Sequence, residues 1–152
     1  MGKTTTKYIS KIQVLMDDCT QLSELYAVNY ATKSKMFQQT GPLVEAHDKR
    51  TLQIQNEHDN VAGKYEPVID RDPEIQKLNK QLDELKNSIA KISEKVRQLR
   101  QSLNTKSEAL RKELLAFNTY IGKKKSSWKS KKSVPMAEKF IEEGVKFYKE
   151  LP

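Results

Sequence analysis

The sequence predicts an all-α protein: an elongated coiled coil or helical hairpin or bundle, with one long central helix and a short C-terminal helix. Three observations carry this. Hydrophobic residues make up 36% of the 152 residues and charged residues 32%, a mix that suits helices with one narrow apolar stripe and a wide solvated face. Only 5 Gly and 5 Pro occur, so long stretches lack helix breakers. Between residues 75 and 103, nine aliphatic residues recur at alternating steps of three and four, which is the seam of a coiled coil.

A first helix is expected over 5–39. Tyr8, Ile12, Leu15, Cys19, Leu22 and Tyr26 form a heptad seam, continued by Asn29 and Lys33. Polar seam residues weaken packing but fix register. Gly41-Pro42 predicts a break, because Gly suits a left-handed cap and Pro cannot continue the hydrogen-bond ladder. A second, weaker helix is expected over 43–65, anchored by Leu43, Ala46, Ile54, Val61 and Tyr65, with Arg50 and His58 on the same side. Glu66 to Asp72 reads as a linker.

Asp72-Pro73-Glu74 is a helix start: Asp offers a capping oxygen, Pro fits the first position, and Glu favours the positive end of the dipole. The long helix is expected over 73–121. Its seam is Ile75, Leu78, Leu82, Leu85, Ile89, Ile92, Val96, Leu99 and Leu103. The stripe resumes at Leu110, Leu114, Phe117 and Ile121 with a phase shift. A continuous helix with a stutter at Ser107 accounts for the shift. Thr105-Lys106-Ser107-Glu108 also has the form of a capping box, and a break there would give a hairpin. A basic loop is expected over 123–134 and a last helix over 135–150, where Phe140, Ile141, Gly144, Tyr148 and Leu151 share a face. The whole chain reads as a single helical coiled-coil domain.

The net charge is +8. It concentrates in residues 122–152, where nine Lys face four Glu, whereas residues 42–72 are net acidic. Such polarity favours anionic partners or association between unlike regions. Lys123, Lys124, Lys125, Lys129, Lys131 and Lys132 surround Trp128, the only Trp. Lys neutralises phosphates and Trp stacks on a base or sits among lipid headgroups. This segment is the candidate contact to an anionic surface, nucleic acid or membrane; a solvated loop is the plainer reading.

The chemistry of catalysis is not legible. Gly2-Lys3-Thr4 lacks the upstream Gly and the strand of a phosphate-binding loop. His47 and His58 lie eleven residues apart, roughly 16 Å on one helix, too far to share a metal. Neither an enzyme nor a bound cofactor, metal or small-molecule substrate is expected. The single Cys excludes an intrachain disulfide. With no signal-peptide core and no apolar run of membrane length, a cytoplasmic setting is expected, with signal-less export left open. These readings converge on a non-enzymatic assembly or adaptor protein that binds other helices, its own copies included. The alternative is a nucleic-acid-associated protein that uses the Trp-containing loop.

Chain length, long heptad helices and basic charge also make the chain similar to the coiled-coil stalk proteins of flagellar and type III export systems. That resemblance implies a component or chaperone-like stalk of a bacterial secretion apparatus. The expected breaks at Gly41-Pro42 and Pro67 depart from the plain hairpin of those stalks.

Overall fold

The structure, a computed structural model, describes residues 2–57, 65–125 and 133–152. Among them the regular elements are all helices: α1 (Lys3–Glu57), α2 (Tyr65–Arg71), α3 (Pro73–Lys124) and α4 (Ser133–Lys149). No helix among the described residues is long and apolar enough to cross a membrane.

Several helix limits differ from those the sequence predicts. The break at Gly41-Pro42 does not occur, and α1 runs through both residues for 55 residues. Pro42 removes one ladder hydrogen bond and sets its ring against the preceding turn. Gly41 has no Cβ to meet that ring, and packing on both sides of the defect holds the helix. The expected linker before Asp72 is instead the short helix α2. Pro67 lies in its first turn, where a missing N–H is no loss. The helix α3 is unbroken across 104–107 and ends at Lys124, not at Ile121. Thr105 Oγ1 donates to the Gln101 carbonyl at 3.1 Å and Ser107 Oγ to the Asn104 carbonyl at 3.0 Å. Both hydroxyls bond back into the preceding turn, so neither caps a new helix. Lys123 and Lys124 are therefore helical, and α4 begins at Ser133.

The chain divides into two compact units: Met1–Ala27 with Arg97–Pro152, and Val28–Val96. The first is a three-helix packing of the start of α1, the end of α3, and α4. Its core joins Ile12, Leu15 and Cys19 of α1 to Leu103, Leu110, Leu114, Phe117 and Ile121 of α3, with Val134, Ala137 and Ile141 of α4. Helices α1 and α3 are antiparallel here: Lys11 pairs with Glu113 at 2.8 Å, Asp18 with Lys106 at 3.0 Å, and the Arg100 guanidinium lies 5.6 Å from the centre of the Tyr26 ring. Rising numbers on one helix meet falling numbers on the other. Phe117 ties the three helices together, stacking on Tyr8 at 5.1 Å and meeting Phe140 edge-on at 6.2 Å.

The second unit holds the rest of α1, α2 and the start of α3. Its buried residues include Asn29, Ile54, Ile75, Leu78 and Val96. The start of α3 is pinned by Asp72. Its Oδ2 accepts from the Ile75 N–H at 3.0 Å, as an N-cap does, and from Arg50 Nε at 3.1 Å, while its Oδ1 accepts from Arg50 Nη2 at 2.8 Å. The two-pronged bond from Arg50 holds the Asp72 carboxyl at about 2, below its ordinary 3.8, and raises the guanidinium in turn. The sequence marked Asp72 as the cap; the pairing with Arg50, 22 residues away, has no local signal.

Candidate helix-docking site

The seam residues divide by unit. Ile12, Leu15 and Cys19 are buried, and Tyr8, Leu22 and Tyr26 are half-buried. On α3, Ile75, Leu78, Val96 and Leu103 are buried, whereas Leu82, Leu85, Ile89, Ile92 and Leu99 are half-buried. In that second unit the inward positions of α1 mix polar residues, Asn29, Lys33, Thr40 and Arg50, with apolar ones, Met36, Leu43 and Ile54. Cys19 lies in the core of the first unit, where burial, and then Asp18, push its thiol up, with Lys106 opposing.

One concave surface lies in the first unit, between α3 and α4. Val134, Ala137, Ile141 and Gly144 form the buried face of α4, spaced at three and four residues. A Cβ on Gly144 would stand 2.6 Å from Leu114 Cδ2. Gly144 thus admits a side chain of α3. Beside this contact opens a groove of about 420 Å³, lined by Arg111, Leu114, Leu115 and Asn118 of α3 and by Ile141, Val145, Tyr148 and Lys149 of α4. Leu115 is 54% exposed and Val145 36%. Both are large apolar residues presented to solvent in a concavity. On each helix the lining residues lie on one face, at 111, 114, 115 and 118 of α3 and 141, 145, 148 and 149 of α4.

The groove is apolar along its floor and cationic at its edges. Arg111 reaches both carboxylate oxygens of Glu108, with Nε to Oε2 at 3.0 Å. That bond raises the guanidinium and lowers the Glu108 carboxyl, and it holds Arg111 in place at the rim. Lys149 ends α4 on the other wall. The lining combines apolar area with a positive rim, and its other polar groups are Asn118 and Tyr148. Periodicity places Leu114, Ile141 and Tyr148 on apolar stripes but misses Leu115 and Val145, which lie off the predicted seams. Only the docking of α4 brings them together.

Of the predicted basic segment, Lys123 and Lys124 are exposed in the last turn of α3, and Lys125 Nζ pairs with Glu138 at 3.1 Å. Trp128, Lys129, Lys131 and Lys132 lie outside the described residues. So does His58, while His47 Nδ1 stands 3.7 Å from Asp48. Among the described residues, no group of three or more His, Cys, Asp or Glu side chains is placed to hold a metal ion. No protein-family model, curated protein or solved structure matches this chain.

Proposed function

We propose that this protein is a non-enzymatic assembly or adaptor protein that docks other helices, with the α3/α4 groove as a docking surface. The observation that carries the reading is the pair of exposed residues Leu115 and Val145 on an apolar floor with Ile141 and Tyr148. A fourth helix laid along the two ridges converts the three-helix packing into a four-helix one. It removes that apolar area from water at about 25 cal/mol per Å². The partner expected is an amphipathic helix with acidic flanks, matched to Arg111 and Lys149. A cytoplasmic setting fits the single, buried, unpaired Cys19.

A photo-crosslinking residue at Leu115 tests this in the source cell. A discrete protein adduct is expected at Leu115, absent from the exposed control position Glu84 and abolished by Val145→Glu. Adducts that ignore Val145→Glu, or none at all, would sink the proposal.

A second reading, association with nucleic acid, draws on the exposed Lys123 and Lys124 at the end of α3 and on the Lys-rich run that follows. Its support is thinned by Lys125, whose charge is engaged by Glu138. Phosphate binding falls steeply with salt, so absence of DNA or RNA binding at low salt eliminates it.

A further inference from the structure

Charge is divided unequally between the two compact units. Val28–Val96 holds 11 basic and 11 acidic residues, whereas Met1–Ala27 with Arg97–Pro152 holds 17 and 9, so the net charge of +8 belongs to the first unit. Within that unit the charge gathers at one end. Three contacts bring the start of α1, the end of α3 and the start of α4 together there. The ring centres of Tyr8 and Tyr120 stand 5.4 Å apart, Lys11 Nζ lies 2.8 Å from Glu113, and Lys125 Nζ lies 3.1 Å from Glu138. Residues 3–11, 113–125 and 133–142 carry seven Lys, no Arg and three acids, all Glu. Two of those acids, Glu113 and Glu138, are taken up by Lys11 and Lys125. The other described residues of the unit balance at seven basic and six acidic. Residues 126–132 add three Lys, Trp128 and no acid to the sequence. Apolar surface accompanies the charge: Met136, in the first turn of α4, is 58% exposed and follows the exposed Pro135. Between α1 and α3 at the same end, a depression of about 280 Å³ is lined by Thr4, Lys7, Tyr8, Lys11 and Glu113.

We infer that this end of the first unit docks on an anionic lipid bilayer, with Lys from all three helices over the headgroups and Met136 among them. The choice of cation favours lipid over nucleic acid. Lys is a hydrated point charge that adds to a surface attraction without a matched fork, whereas base and phosphate recognition exploits the bidentate guanidinium. The three Arg of the unit, Arg97, Arg100 and Arg111, all fall outside this end. The exposed Met136 points the same way, because a headgroup layer takes in an apolar side chain beside the cations that hold the surface. Screening confines the attraction to within about 10 Å at 0.1 M salt. The local surplus of Lys therefore acts at contact, and the balanced remainder of the chain adds little. In the depression, Lys7 and the Thr4 hydroxyl are placed for a lipid phosphate, and Glu113 is neutralised by Lys11. The contact is separate from the α3/α4 groove.

Flotation of the full chain with vesicles of phosphatidylserine and phosphatidylcholine at about 3:7 tests the inference, beside vesicles of phosphatidylcholine alone. Binding is expected only to the anionic vesicles and should fall as salt rises. Lys7→Gln, Lys123→Gln and Lys139→Gln, one from each helix, should each weaken it about fivefold, and the triple variant roughly 100-fold. Removing the same charge from the other unit, by Lys77→Gln, Lys80→Gln and Lys91→Gln together, should change the affinity less than about twofold. All six Lys are exposed, so helicity by circular dichroism should be unchanged. Met136→Ser should weaken vesicle binding at least about threefold. No binding to the anionic vesicles at low salt, equal binding to neutral ones, or equal losses from the two triple variants overturns the inference. DNA or RNA binding that exceeds vesicle binding and is indifferent to Met136→Ser assigns this end to nucleic acid and also overturns it. Val145→Glu should leave vesicle binding intact; a loss there moves the contact to the groove and overturns the inference. Failure to bind vesicles leaves the helix-docking reading of the groove standing.

Discussion

Phe117→Ala examines the packing of the first unit at its most connected point. The side chain is fully buried and touches rings from two other helices: Tyr8 of α1, stacked at 5.1 Å with planes 10° apart, and Phe140 of α4, edge-on at 6.2 Å. Truncating a buried Phe to Ala costs about 3–5 kcal/mol, and each lost aromatic pair adds about 0.5–1.5 kcal/mol. The upper part of the range is expected, since a cavity here is bordered by three helices and none closes it without leaving another partner. Whole domains have ~5–15 kcal/mol in hand, so the variant should unfold at markedly lower urea and lose at least ~10 °C in Tm. Phe117→Leu keeps most of the volume and loses the ring contacts; its cost should stay near 1–1.5 kcal/mol. Urea titrations by near- and far-ultraviolet circular dichroism give both values. A Phe117→Ala cost below ~1 kcal/mol, or one equal to that of Phe117→Leu, refutes the three-way packing.

Other perturbations probe the second unit and the seams. Asp72 is held at about 2 against an ordinary 3.8, so its contribution is fully present above pH 3.8 and is lost as pH falls through about 2. Unfolding at pH 3 should take up ~0.8 proton at this residue, seen as a pH-dependent urea midpoint that Asp72→Asn flattens; an unchanged pH profile in that variant removes the Arg50–Asp72 pairing. Ile75→Ala, at a buried position, should cost about 2–4 kcal/mol, and Ile89→Ala, at a half-buried one, roughly half as much; equal costs contradict the partial burial of the mid-seam. Native Cys19 should react with a thiol reagent at least about tenfold more slowly than in urea, and equal rates would take it out of the core.

The comparison of Gly41-Pro42 with Asp72-Pro73 shows what short-range chemistry decides. At Asp72 the local rules stand unopposed. The carboxylate caps, Pro73 starts the helix, and the apolar period after it admits one structure. The all-α class and the start of α3 follow from that sequence alone, because periodicity and capping are local properties. At Gly41-Pro42 the same rules predict a stop, yet α1 continues. One lost hydrogen bond and a ring clash, about 3 kcal/mol, are outweighed by long-range packing. Ile12, Leu15 and Cys19 are held on one side, and Arg50 and Ile54 on the other. The basic character of the C-terminal part was equally legible, but the salt bridge from Lys125 to Glu138 depends on α4 folding back.

The candidate site belongs mostly to the second kind of information, although Leu114, Ile141 and Tyr148 of its lining lie on stripes the sequence predicts. Leu115 and Val145 are 30 residues apart and off their helices' main stripes, so no periodicity links them. They share a groove because Gly144 lets Leu114 approach α4. The sequence by itself determined the all-α class and the start of α3, since spacing and capping act within a few turns. Only the tertiary structure decided that α1 crosses its proline, that the chain forms two compact units, and that an apolar groove remains. Those outcomes depend on which distant faces meet, and burial energy summed over many contacts outweighs any single local preference.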